Sequence, residues 1–334
     1  MSEVAGARGE LVEAIAAGAA HLVSRQEPDG YWRDFHMPPG RSDTWITGCV
    51  GVVLNLVRDL VPTELGTAGA IDRAACALRA SRRKGGWGYS RRVPCDADST
   101  SWAVRLLAGY DHREIPGEIF DKYVTSASGI RTFRSPKFFG SWADEHDEVT
   151  PAVGLAFLAL GDSSAVDRIR PRVVERHRES GGWTAFWWRS DAYGIAHNLM
   201  FLARTGGVPA DVAAVERARL DDFVARDGSC ADTPPEPPFD TAHRLIAAIR
   251  LDAQDHADLF LRALLEAQLP DGSWPPSARM LVPGESDALE YIDDRGLLST
   301  AVAVMAAVEA VSTSAAAREQ YAAQRLRRRL IEEK

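Results

Sequence analysis

Gln26-Glu27-Pro28-Asp29-Gly30-Tyr31-Trp32, close to the start of the chain, returns near its end as Gln268-Leu269-Pro270-Asp271-Gly272-Ser273-Trp274. The Gly-x-Trp core recurs between them as Gly85-Gly86-Trp87, Gly140-Ser141-Trp142 and Gly181-Gly182-Trp183. A sixth copy, Gly228-Ser229-Cys230, carries Cys in place of Trp. Successive copies start 41 to 55 residues apart, a period that marks a repeat architecture. In such a turn the glycine permits a tight bend, and the Trp fills the space between neighbouring outer helices.

A second pattern runs in step with the first. Each turn is followed by an acidic or hydroxyl cluster: Asp43-Thr44, Asp98-Ser99-Thr100, Asp147 to Thr150, Ser190-Asp191, Asp240-Thr241 and Ser299-Thr300. Asp, Ser and Thr are favoured N-caps because their oxygens accept unpaired first-turn N–H groups. Thr150-Pro151 reads as a cap followed by proline at the first helical position. The helices after these clusters are apolar nearly all round. Ile46 to Val57 and Pro151 to Leu160 contain no charged residue, so they must be buried. The helices before the turns, such as Val166 to His177 and Val212 to Val224, are amphipathic and can face water on one side. No strand alternation appears beyond short turns. Six hairpins of outer helix, Gly-Trp turn and capped inner helix suit closure into a ring. The expectation is an all-α, (α/α)6 toroid of six inner and six or more outer helices. It takes residues 1–334 as a single domain, with 314–334 as a C-terminal outer helix.

The composition is that of a folded globular chain: 334 residues, 46% hydrophobic and 26% charged, with a formal net charge of −8. No run approaches the ~20 apolar residues of a membrane-spanning helix. The negative charge, without a dense Lys/Arg run outside the C-terminal tail, argues against a nucleic-acid partner. Cys49, Cys76, Cys95 and Cys230 form no CxxC pair, so neither a disulfide framework nor a zinc ribbon is signalled. The N-terminus lacks a signal-peptide pattern, and the cytoplasm is the expected compartment.

The Q-x-x-x-G-x-W turns and the Asp/Thr-started inner helices resemble the squalene–hopene cyclase and protein prenyltransferase superfamily over most of the chain. Cys95-Asp96-Ala97-Asp98-Ser99-Thr100-Ser101-Trp102 is similar to the D-x-D-D-T segment of class II terpene cyclases. In that family the middle Asp protonates an alkene or epoxide. The resemblance implies Asp98 as that acid and Asp96 as its partner. Ser99 stands where a second adjacent acid is usual.

The chemistry gives such a motif its reason. Protonating an isolated alkene needs a neutral acid in a dry pocket, and two nearby carboxyls resist both being ionised. The carbocation formed must then be shielded from water and stabilised by aromatic faces. Trp45, Trp102, Phe157, Tyr193 and Phe201 on the inner helices could supply them, and Trp187 and Trp188 could overhang the mouth. Asp98 has a second reading as one more helix cap, and a cap favours the ionised form. For both roles to exist, Asp96 or Ser99 would have to cap while Asp98 kept its proton. His197 and His243, on the fourth and fifth inner helices, could restore that proton or could be satisfied core residues. Arg82, Arg83, Lys84, Arg91 and Arg92 bracket the second turn and could hold a diphosphate, or be solvated.

The zinc site of protein prenyltransferases does not assemble, because Ala242 stands where Phe239-Asp240-Thr241-Ala242-His243 would need its Cys. No metal or cofactor is therefore expected, with Mg2+ entering only beside a diphosphate. The reading is a class II-type terpene cyclase acting on a small isoprenoid. A squalene–hopene type enzyme is about twice this length and has a second barrel. A smaller substrate, or a homodimer that closes the pocket, would fit its absence. The alternatives are a non-catalytic toroid binding a hydrophobic ligand or partner protein, and a carbohydrate-active (α/α)6 enzyme. The run Arg325-Leu326-Arg327-Arg328-Arg329 could touch an anionic membrane surface, although Glu332 and Glu333 follow it.

Overall fold

The apolar segments form the hub. In the computed structural model, α2 (Thr44–Val57), α4 (Ala97–Tyr110), α6 (Val149–Leu160), α8 (Ala192–Arg204), α10 (Pro238–Arg250) and α12 (Leu297–Thr313) each pack on the next, and α12 returns to α2. The structure describes residues 2–110, 115, 117–227, 237–284 and 288–313. Around the hub lie α1 (Ser2–Ser24), α3 (Thr67–Ser81), α7 (Ser163–Ser180), α9 (Ala210–Asp227) and α11 (Gln254–Glu266). Between α4 and α6 the outer position is irregular, with 3-10 turns and a one-turn helix α5 (Pro136–Phe139). The result is a closed (α/α)6 toroid. The Gly228-Ser229-Cys230 copy, the C-terminal helix expected over 314–334 and its basic run lie outside the described residues.

The turns are tied by a repeated set of hydrogen bonds. The Trp32, Trp87, Trp183 and Trp274 indoles donate to the carbonyls of Leu22 (2.7 Å), Leu78 (2.9 Å), Val173 (3.1 Å) and Leu264 (2.7 Å) on the preceding outer helices. The hydroxyl oxygens of Thr47, Thr100 and Thr300 accept the backbone N–H of Trp32, Trp87 and Trp274 at 2.9 to 3.1 Å. Thr150 accepts from Ile130 N at 3.0 Å. Thr100, Thr150 and Thr300 are thus latches for the preceding loop rather than the caps expected of them, because they lie inside the first turn of their helices. Gln26 Nε2 reaches Ala70 O at 2.8 Å, and Gln268 Nε2 reaches Ala14 O at 3.0 Å. The second bond joins the last repeat to the first. Trp142 departs from the set: it is half-buried, and its indole donates to Pro283 O at 2.7 Å.

Two short hairpins, absent from the expectation, cover one end of the hub. β1 (Asp34–Met37) pairs antiparallel with β2 (Gly40–Ser42), and β3 (Arg279–Val282) with β4 (Leu289–Ile292). Strands this short carry too few positions to display a period of two. Buried carboxyls pin both to α12. Asp34 Oδ2 accepts Leu297 N at 2.7 Å, and Asp293 Oδ2 accepts Ser299 N at 2.8 Å. Asp293 Oδ1 takes the Ser277 and Ala278 N–H groups at 2.8 and 2.9 Å.

Gly272 has φ +82° and lies so close to α1 that a Cβ would collide with Ala17 O. Gly66 has φ +72° with open space around it. A left-handed residue with a Cβ costs about 1–2 kcal/mol, and a clash adds to that. Gly272→Ala should therefore lower the urea midpoint clearly more than Gly66→Ala. Equal shifts would mean that the contact closing the ring adds nothing to stability.

Candidate active site

Every Gly-Trp turn delivers its inner helix into the hub in the same direction, so the helix starts gather at one end. There they surround a cavity of about 420 Å3. Helix starts and first turns give it Trp45, Asp98, Ser99, Glu148, Val149 and Tyr193, with Asp96 just before α4. The loops add Tyr89, Val93, Pro94, Thr132, Phe133, Phe139, Trp142, Trp187 and Trp188. The hairpins close over it with Met37, Pro38, Pro39, Met280, Val282, Leu289 and Tyr291. None of these described lining residues is Lys or Arg.

Aromatic rings form a continuous wall. Trp45 stacks on Tyr89 with centroids 6.2 Å apart and lies 6.1 Å from Trp188, which stacks on Tyr193 at 4.7 Å. Phe35, buried with φ +48°, backs Trp45 at 5.7 Å. Its backbone is held from both sides, since Phe35 N donates to Asp34 Oδ1 at 2.9 Å and Tyr89 Oη donates to Phe35 O at 2.7 Å.

Three carboxyls break this apolar surface, in different environments. Asp96 is fully engaged: Oδ1 accepts Ser99 N and Oδ2 accepts Ser99 Oγ, both at 2.7 Å. It caps α4, and burial pushes its carboxyl up to about 6. Asp98, within the first turn, accepts only the Trp45 indole N–H, on Oδ2 at 2.9 Å, and Oδ1 has no partner. Asp98 is among the residues lining the cavity. Burial there, with Asp96 and Glu148 as neighbouring negative charges, pushes its carboxyl up to about 8, and the Trp45 bond opposes this. Glu148 precedes α6 without capping it. Its Oε1 accepts Phe186 N and Trp187 N, both at 2.8 Å, its Oε2 has no partner, and burial pushes it up to about 7.

The other residues singled out in the sequence fall in three places. Trp45, Tyr193 and Trp188 line the cavity. Trp102, Phe157 and Phe201 are buried in the hub outside its lining. Phe157 packs edge-on against Phe120 at 5.2 Å, and Phe201 fills the space beside Gly154. His197 and His243 are also buried in the hub, with ring centroids 5.8 Å apart. Their Nδ1 atoms lie 2.9 and 2.8 Å from the Tyr193 and Phe239 carbonyls, and neither ring bonds to Asp98. Burial holds both below the usual histidine range. Tyr193 stacks on His197 at 4.1 Å. The basic residues of the second turn do not reach the cavity, and Arg91 pairs with Asp43 at 2.7 Å. Glu148, Tyr89 and the hairpin residues were missed. Glu148 sat inside the Asp147 to Thr150 cluster that reads as a cap.

Among the described residues, no group of three or more His, Cys, Asp or Glu is placed to hold a metal ion, and no helix is long and apolar enough to cross a membrane. No family model and no curated protein matches the chain. Among solved structures, it is similar to type II terpene cyclase MstE from Scytonema, at 23% identity and a TM-score of 0.72 over 91% of this chain and 98% of that one. Other structures of MstE hold geranylgeranyl dihydroxybenzoate as substrate and merosterolic acid A as product. The ent-copalyl diphosphate synthase from Streptomyces platensis matches at 16% identity and a TM-score of 0.55, over 79% of this chain and 50% of that one. An unsaturated glucuronyl hydrolase from Bacillus sp. GL1 matches at 13% identity and a TM-score of 0.61, over 93% of this chain and 97% of that one. The chain has the toroid fold of the class II terpene cyclases.

Proposed function

We propose that the chain is a class II-type terpene cyclase, with Asp98 as the acid that starts cyclisation of an isoprenoid chain. The observation that carries this reading is the separation of two neighbouring carboxyls. Asp96 caps α4, while Asp98 keeps one indole donor and an oily surrounding. A carboxyl with so little support for its charge holds its proton near neutral pH. Asp98 gives that proton to a terminal alkene, and the cation is passed along the chain as each alkene closes on the next. Trp45, Tyr89, Trp188 and Tyr193 turn their rings to the chain and stabilise the cation through their faces. The aromatic and aliphatic lining leaves little polar surface on which water could gather to quench it.

The substrate class follows from the wall. An isoprenoid chain joined to a head group, as in the geranylgeranyl dihydroxybenzoate held by MstE, suits a lining of aromatic and aliphatic side chains. A diphosphate inside the cavity would find no Lys or Arg among the described lining residues, so Mg2+ enters this reading only with a head group outside it. A sugar-cleaving toroid needs carboxyls facing across a polar groove. The aliphatic and aromatic wall supports the isoprenoid instead.

Asp98→Asn should cut turnover of a geranylgeranylated substrate by roughly 10²–10⁴-fold while the far-ultraviolet circular dichroism is unchanged. It should also stabilise the fold. The folded-state carboxyl lies at about 8 against an ordinary 3.8, so the folded chain binds the extra proton and stability is lost as pH rises through that window. Thermal unfolding of the Asn variant should therefore depend less on pH, with a higher midpoint at pH 8. A variant as active as the parent removes Asp98 from the reaction.

Activity should decline as pH rises through about 8, where Asp98 loses its proton. The Trp45 N–H supports the ionised form, so Trp45→Phe should move that decline to higher pH. A pH–rate profile in the same place for both proteins would separate the decline from Asp98.

A further inference from the structure

Cyclisation started by a proton must end by losing one, and the acid alone does not explain where it goes. Asp98 delivers its proton at one end of the isoprenoid, and the cation then moves away along the chain. A second carboxyl in the wall would be placed to receive the final proton.

The wall limits the choice. Asp96 spends both oxygens on Ser99. His197 and His243 lie outside the lining, and Tyr193 is a phenol whose proton burial holds well above its usual range. Glu148 remains. It stands at the start of the next inner helix around the ring, α6, and is 2% exposed. Phe186 N and Trp187 N fix Oε1, so the carboxyl is rigidly oriented while Oε2 is left without a partner. Its charged neighbour Asp147 is already paired with Arg176 at 2.9 Å.

The two unpaired carboxyls also differ in a way that divides their roles. Asp98 has one indole donor, and Glu148 has two backbone N–H donors. Donors support the charged form, and two carboxyls in one dry cavity resist both being ionised. Of the two, Asp98 is therefore the one that keeps its proton more firmly, and Glu148 the one that gives its proton up first.

Resting on the cyclase reading above, we propose that Glu148 is the terminal base, whose carboxylate accepts the proton lost when the last cation collapses to an alkene. In the first step the Asp98 O–H bond breaks and a C–H bond forms. In the last, a C–H bond breaks, its electron pair becomes the new C=C bond, and the proton passes to Glu148. Transfer of that proton back to Asp98 resets the pair, so the reaction is an isomerisation without a co-reactant.

The test uses the full chain with geranylgeranyl dihydroxybenzoate in D2O, comparing the parent, Asp98→Asn and Glu148→Gln. The Gln amide oxygen can still accept from Phe186 N and Trp187 N, so the loop is kept. Glu148→Gln should consume substrate and add one deuterium at the initiating carbon, but form the parent's alkene roughly tenfold less, with isomeric alkenes and water-quenched alcohols instead. An unchanged product spectrum overturns the proposal. So does complete loss of consumption in a folded Gln variant, which would place Glu148 in initiation. If the Gln variant does not fold, Glu148→Asp sets the carboxyl back by one methylene and should shift the products in the same direction, and unchanged products there also overturn the proposal. Failure of the parent itself to consume this probe and geranylgeranyl diphosphate counts instead against the cyclase reading.

Discussion

Ser99 N and Ser99 Oγ on Asp96 form the contact on which the candidate site depends. A helix start demands a partner for its N–H groups, and in α4 that demand falls on the carboxyl nearest the end. Asp96 answers it with both oxygens. Asp98 is thereby released from a duty that would have favoured its ionised form. Ser99, which stands where the resemblance expects another acid, is the donor that makes this possible. A carboxyl there would have offered no hydroxyl donor in its ionised form and would have added a third negative charge beside Asp98. The departure from the family pattern is therefore consistent with a two-carboxyl arrangement in which one is saturated and the other is not.

Ring closure was legible because it is written in side chains that repeat. The glycines bend the turns, the tryptophans bond back to the preceding outer helix, and Gln268 carries the same bond across the seam to Ala14. Each of these acts locally, so a reading of short segments finds it. The threonines read as caps in sequence for a related reason. A hydroxyl near a helix start looks like a cap in sequence, and only the position of the preceding loop reveals that Thr100 and Thr300 accept a Trp N–H instead. Trp142 shares the Gly-x-Trp spelling of the structural turns yet belongs to the cavity wall, because the outer segment before it is irregular and gives its indole no helix to bond to.

The site was legible only in part. Asp96 and Asp98 sit in a motif, and Trp45 and Tyr193 follow from the helix starts they occupy. Phe157 and Phe201 also sit on inner helices, but they lie deeper along them than the cavity reaches. Period alone does not tell the depth of the pocket. The lid was out of reach altogether. It is made by two hairpins more than 230 residues apart in the chain, joined to the hub through Asp34 and Asp293, and no local pattern announces that pairing.

The gathering of carboxyls at one end is a consequence of the repeat rather than an addition to it. Parallel inner helices place every cap position on the same rim, and cap positions favour acidic and hydroxyl residues. Most of those groups remain bound to backbone, as Asp43 does with Thr44 N at 2.6 Å. A rim carboxyl is left incompletely paired where it is excused from capping. That occurs at Asp98 in α4, where Asp96 takes the cap. It occurs again at Glu148 in α6, where the loop 186–187 holds one oxygen and leaves the other. Each such carboxyl is destabilising in isolation, since burial without partners opposes its charge. A toroid can carry them because its stability is distributed over the whole ring of turns.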